Sequence, residues 1–244
     1  MVRFPVLCLS VLLLASQLAG CSLPRMQVDS GLSAQAPALP VAGREGWLVE
    51  QMLAFGEYRA GPVSRGWTKG YDYPFMVRFT GAREKLRFAV RDGAGNEAMV
   101  HCAGKLREAD LRVFRDYFDV NVHTTDSFAC TVALENETVD FYVENLNTQQ
   151  NTGYRPLGGA ARTGSGLIGM RAAWRLDSGQ RWPGTQPLGV EFLRDDTVIG
   201  AVETVNEGRV WIRPDLGDRD RLLLASLASA LLLRSDLEGH NDDL

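Results

Sequence analysis

Residues 222–233 read Leu-Leu-Leu-Ala-Ser-Leu-Ala-Ser-Ala-Leu-Leu-Leu, twelve residues without a charge. A helix that is apolar on every side has no face to give to water, so it must be enclosed all round. At 1.5 Å per residue it is about 18 Å long, well short of a hydrocarbon core of roughly 30 Å. The run therefore predicts a core helix rather than a membrane span, and it demands a surrounding structure able to close on it. The small residues Ala225, Ser226, Ala228, Ser229 and Ala230 would let neighbouring strands come close. Asp218 suits the N-cap, Asp220 the positive end of the helix dipole, and Arg234 the negative end.

The rest of the chain supplies strands. Leu86, Phe88 and Val90 alternate with Arg87 and Arg91, and Asp92-Gly93-Ala94-Gly95-Asn96 then turns the chain back through Val100 and Cys102. The period of two resumes at Phe128-Cys130-Val132-Leu134 and at Val139-Phe141-Val143, with Glu135 to Thr138 as the hairpin between them. Further strands are expected at 167–174, 188–193, 198–202 and 209–212, with turns at Asp195-Asp196 and at Asn206-Glu207-Gly208. Two segments break the rhythm. Leu111, Phe114 and Phe118 predict a short helix within 106–118, while Leu48, Met52 and Phe55 fit either a short helix or an irregular strand. Residues 145–166 are polar and glycine-rich and read as a surface loop. The fold class expected is mainly β: one domain over 46–244, an antiparallel barrel or sandwich with a buried apolar C-terminal helix.

The N-terminus carries an address. Arg3 precedes an apolar run from Val6 to Ala15, and small residues follow, as in a secretory signal. The signal would end at Leu18-Ala19-Gly20-Cys21, which resembles the lipobox of bacterial lipoproteins. That resemblance implies cleavage of residues 1–20, a diacylglyceryl group on Cys21 and usually acylation of the new amino group. Two or three acyl chains suffice for stable anchoring. Ser22, rather than Asp, at the next position implies an outer-membrane destination facing the periplasm. Residues 21–45, rich in Ser, Pro, Ala, Gln and Gly, then read as a lipidated cysteine and flexible tether. With Cys8 lost and Cys21 lipidated, Cys102 and Cys130 remain as an even pair in an oxidising compartment. A disulfide between them is expected; the alternative is two buried thiols.

A mainly-β domain that ends by passing from Gly208-Arg209-Val210-Trp211-Ile212-Arg213-Pro214 into the apolar run resembles the tubby C-terminal domain, the phospholipid scramblases and the plant LURP-one proteins. In that group a closed antiparallel barrel wraps a hydrophobic C-terminal helix. The resemblance spans roughly residues 47–237 and lies in element order. No functional motif of the group matches by residue, so it assigns no site here.

Chemistry-bearing residues are sparse. Removing Arg3 takes the net charge from −4 to about −5, which speaks against broad binding to nucleic acid or to anionic lipid surfaces. The segment 158–166 lacks the Lys-Ser/Thr ending of a phosphate loop and fits no GxGxxG pattern. His123 stands before Thr124-Thr125-Asp126-Ser127, but neighbours on a turn rarely form a triad and no GxSxG elbow occurs. His101 is placed to face away from Cys102, and His240 lies in a polar tail. Asp215, Asp218 and Asp220 depart from EF-hand spacing and suit helix capping. Without CxxC or HExxH spacing, no metal site and no cofactor are expected. Trp182, beside Pro183-Gly184, is the weak candidate for a contact residue; the other tryptophans, at 47, 67, 174 and 211, read as packing. The expected function is a non-enzymatic binding or assembly component of the envelope, membrane-bound through Cys21, with a protein, glycan or lipid partner and no nucleic acid. The alternative is a periplasmic hydrolase with a site built from loops.

Overall fold

The computed structural model describes residues 23–44, 51–65, 84–104, 128–143, 157–184 and 186–238. Cys21, residues 1–20 expected to form a signal sequence, His123, His240, Trp47, Trp67 and the helix expected within 106–118 lie outside them.

Among the described residues thirteen strands form one antiparallel sheet: β1 (Leu39–Pro40), β2 (Leu53–Phe55), β3 (Tyr58–Ala60), β4 (Ser64–Arg65), β5 (Glu84–Arg91), β6 (Glu97–Gly104), β7 (Phe128–Leu134), β8 (Glu137–Val143), β9 (Leu157–Thr163), β10 (Gly166–Ala173), β11 (Gly189–Arg194), β12 (Thr197–Glu203) and β13 (Arg209–Ile212). From β5 to β13 each strand pairs with the next in sequence. β3 carries β2 on the free edge of β5, where β4 also pairs, and β1 pairs with β13. Beyond β1, Ala42 exchanges two backbone hydrogen bonds with Ala54 of β2, at 2.8 and 2.9 Å. This seam joins the first strands to the last and brings the sheet nearly to a closed barrel. A closed sheet has no long edge left to pair with another chain.

The helix α2 (Asp218–Glu238) runs inside this wall. Every residue from Leu222 to Arg234 is buried. Its leucines form one cluster with the inward residues of strands all around the sheet, among them Phe55, Phe88, Val132, Phe141, Met170 and Phe192. Each large apolar side chain so enclosed contributes roughly 1.5–3 kcal/mol. Two serines on the helix satisfy themselves locally: Ser226 Oγ donates to Leu222 O and Ser229 Oγ to Ala225 O, both at 2.8 Å. Close approach on the wall side falls to Gly200, where a Cβ would stand 3.2 Å from Leu224 Cδ1. The helix N-cap is Gly217, whose carbonyl accepts the Arg221 N–H at 3.0 Å; Asp218 and Asp220 occupy the first turn. The barrel alternative, with its buried C-terminal helix, is the one the chain adopts.

The meander gives the barrel two unlike ends. One carries only tight turns, at Gly56-Glu57, 92–96, 135–136, 164–165 and 195–196, together with the entry to α2. Asp195 and Asp196 both have positive φ, 48° and 64°, as a two-residue type I′ hairpin requires. The opposite end collects the strand ends that border 105–127 and 144–156, the longer connection 174–188, and the turn 204–208. There Arg234 closes the helix with its guanidinium 5.6 Å from the centre of the Phe128 ring.

Two expectations are corrected. The segment expected to be a free tether is docked from Pro24 onward: Met26, Leu32, Ala36 and Val41 are buried, and Ser30–Gln35 forms helix α1 with Asp29 as its N-cap. Its sparse apolar residues are spaced to reach one surface, which average composition conceals. Part of the glycine-rich loop is likewise strand, since 157–163 and 166–173 form the β9–β10 hairpin. Gly159 is there because the backbones run close, and a Cβ on it would lie 2.1 Å from Tyr142 O. The ambiguous segment at Phe55 is strand β2.

Candidate functional site

The docked N-terminal segment forms a strap across the outer face of β11–β13. Its apolar residues Met26, Leu32 and Ala36 pack on Leu188, Leu193, Val198, Ala201 and Trp211. Two carboxylates fasten it. Glu203, with its side chain wholly buried, faces Arg209 across the β12–β13 ladder. Arg209 Nε donates to Oε1 at 3.0 Å and Nη2 to Oε2 at 2.7 Å. The strap adds two more donors, Arg25 Nη1 to Oε1 at 3.3 Å and the Met26 N–H to Oε2 at 2.6 Å. Glu191 repeats the device: Arg171 donates to Oε2 through Nε at 2.9 Å and Nη2 at 2.6 Å, and the Asp29 N–H donates to Oε1 at 3.3 Å. Such charge-assisted bonds are directional, so they fix the strap's register where greasy contact alone would not.

At its start the strap joins the connection end of the barrel. Gln27 N–H donates to Arg175 O at 2.8 Å, and Asp177 N–H to Arg25 O at 3.0 Å. Asn206 Nδ2 donates to Pro24 O at 2.7 Å. The 174–182 ribbon beside it presents Arg175 and Arg181 to solvent. Trp182 is half-buried against the outer cluster, its indole N–H donating to Gln186 O at 3.0 Å. Leu23, the first described residue, is 56% exposed.

The turn end holds a different feature, a cleft of about 650 Å³ lined by Asn96, Glu97, Glu135, Asn136, Asp218 and Arg219. Its neighbours are already engaged. Arg219 pairs with Glu137, and Arg221 with Asp218 at 2.5 Å. The aspartates weighed for calcium are spread among arginines: Asp215 pairs with Arg213 at 2.5 Å and Asp220 with Arg194 at 2.8 Å. Among the described residues no group of three potential ligands could hold a metal ion.

A third polar feature crosses the outer face of the wall. Arg87, His101, Thr131, Asp140 and Arg162 stand opposite one another on β5 to β9. Thr131 Oγ1 donates to Asp140 Oδ1 at 2.7 Å, both residues being buried. Burial raises the Asp140 pKa, an effect the Thr131 hydrogen bond partly offsets. Burial, and then the Arg87 charge, lower that of His101. The Thr131 hydroxyl proton is thus committed to Asp140.

Cys102 and Cys130 stand directly opposite on β6 and β7 and form the expected disulfide, 2.05 Å between sulfurs, on the inner face of the wall. His101 points to the other face, as strand alternation requires. Asp195-Asp196 is a hairpin turn. Trp211 is packing, under the strap, where the Arg209 guanidinium lies 4.9 Å from its ring centre. Sequence reasoning missed Glu203 and Glu191. The available signal was an acid alternating inward-outward with Val190, Phe192 and Val202 in strands whose outer face had no assigned cover.

Comparison of the chain with protein-family models, with curated proteins and with solved structures finds no match.

Proposed function

We propose that this chain is a lipid-anchored envelope protein that acts as a non-enzymatic binding or assembly component facing the periplasm. The observation that carries this reading is the occupied lumen. The barrel is filled along its axis by α2, so recognition falls to the outer wall, the rims and the strap. The motif Leu18-Ala19-Gly20-Cys21 supplies the anchor in this reading, and the disulfide suits an oxidising compartment. Among the described residues no helix is long and apolar enough to cross a membrane; in this reading attachment rests with the lipid on Cys21. A barrel around an apolar C-terminal helix is compatible with the tubby and scramblase architecture, and the proposal takes no activity from it. The partner class is an envelope protein, glycan or lipid, and outer-membrane residence is proposed from Ser22.

The test is Cys21→Ala in the full chain, expressed in a Gram-negative host with a labelled fatty acid. The expected outcome is loss of label and of signal cleavage. Unchanged labelling and processing would end the lipoprotein reading.

A further inference from the structure

The two ends of the barrel differ in their connections, and the strap begins at only one of them. We infer that the 174–182 ribbon and the start of the strap form a membrane-facing surface, seated on anionic phospholipid through Arg175 and Arg181, with Leu23 at the start of the strap and Trp182 next along the ribbon. The inference rests on the lipid-anchor reading and deepens it from attachment to orientation.

The first argument is reach. Cys21 stands two positions before Leu23, and a chain of that length spans at most about 7 Å. From Pro24 the backbone is fixed to the barrel by Asn206 and by the 175–177 ribbon. A free tether of some twenty residues would let the domain wander from the bilayer; a docked strap does not. Whatever surrounds Leu23 is therefore held within headgroup distance of an anchored Cys21.

The second argument is what surrounds Leu23. Arg175 and Arg181 are exposed, and neither forms an ion pair among the described residues. Beside them are an exposed leucine and a half-buried tryptophan whose indole N–H already has a partner. Cationic, aromatic and aliphatic groups gathered near one another are the combination that settles at a lipid–water interface. Asp177 of the ribbon and Glu207 of the 204–208 turn are exposed acids at this end. The opposite end carries Glu57, Glu97, Glu135, Asp195 and Asp196 in exposed turns, with Arg91, Arg219 and Arg221 paired among its acids. Orientation thus rests on the reach of the anchor and on the arginine pair close to it.

The experiment uses the full chain matured in a bacterial envelope and reconstituted into vesicles of phosphatidylethanolamine and phosphatidylglycerol containing bromine-labelled acyl chains. Tryptophan quenching is read alongside the intact mass. The expected result is quenching that falls most in Trp182→Phe and little in Trp211→Phe. It should also fall in Arg175→Glu/Arg181→Glu, or when phosphatidylcholine replaces the anionic lipid. Melting temperatures of the variants report that the fold is kept. An acylated mass with quenching indifferent to these changes overturns the surface and leaves the anchor standing. Residue- and charge-dependent quenching without an acylated mass sustains the surface and removes the anchor. Absence of both overturns both.

Discussion

Strands β11–β13 are coated on both faces, and the two coats are built differently. Inside, α2 presents leucines in every direction to a ring of strands. Outside, the strap offers Met26, Leu32 and Ala36, and is held by carboxylates at Glu203 and Glu191. The inner contact needs no polar direction because the wall surrounds it, and any rotation of the helix still buries apolar surface. The outer contact has solvent on one side and little area, so hydrogen bonds must decide where the strap lies. Non-directional burial holds what is enclosed, whereas directional polar bonds hold what is only laid on.

The contrast can be broken from either side. The largest effect is expected from Leu227→Asp, which places a lone carboxylate at a position with no exposure. It should abolish cooperative folding, at a cost beyond about 4–5 kcal/mol; an unaltered melting transition would show that the helix is not the core. Glu203→Ala comes next. It leaves the partly exposed Arg25 and Arg209, and the Met26 N–H, without their carboxylate and should cost about 3 kcal/mol. The loss should fall on the strap, so that limited proteolysis cuts within 23–44 while the barrel stays protected. A strap as resistant as wild type would mean that apolar packing suffices. Cys102→Ala/Cys130→Ala should lower stability by about 3 kcal/mol in the chain-entropy account without selective release of the strap, because the bridge lies on the inner face of β6–β7. Selective strap cleavage in that variant would show that the two coats are coupled through the wall.

The smallest effect belongs to neither coat. His101 has its pKa lowered from 6.5 by burial and by Arg87, so the unfolded chain takes the proton first. Stability present above pH 6.5 is lost as the pH falls below it towards the folded value. His101→Gln should flatten that part of a melting-temperature profile. Asp140, whose pKa is raised from 3.8, acts in the opposite sense: its contribution is fully present below 3.8 and fades as the pH rises through the folded value. Asp140→Asn separates the two, and a profile unchanged by His101→Gln would place the titrating group elsewhere.

The wall was legible because alternation is a local signal. Phe88, Val100, Val132, Phe141, Val190 and Val210 all face inward as their spacing predicts. The axial helix was legible because a run without charges has one soluble solution. The strap was not, because its three anchoring residues are far apart and their partners lie some 160 to 180 positions away. The glycines of β9 misled for a related reason. Gly159 answers to the backbone of a neighbouring strand, and no window along one strand contains its neighbour. Of the candidate surface, Trp182 was visible from its loop setting, and the disulfide from cysteine count. The position of Arg175 and Arg181 beside the start of the strap depended on tertiary pairing alone.

The seam has a consequence for the order of events as the chain is made. Arg25 and Met26 wait for Glu203, at sequence separations of 178 and 177, and β1 waits for β13. The earliest-made segment therefore finds its place last. Contacts this remote slow folding, because a long loop must close before they form. Until the final strands arrive, the leading segment travels as an open chain, the edge of β13 does not yet exist, and the barrel has no lock. A nascent molecule cut short before residue 203 would lack both α2, which fills the wall, and the fastening for its own beginning, so a docked strap marks a chain made at least through β13.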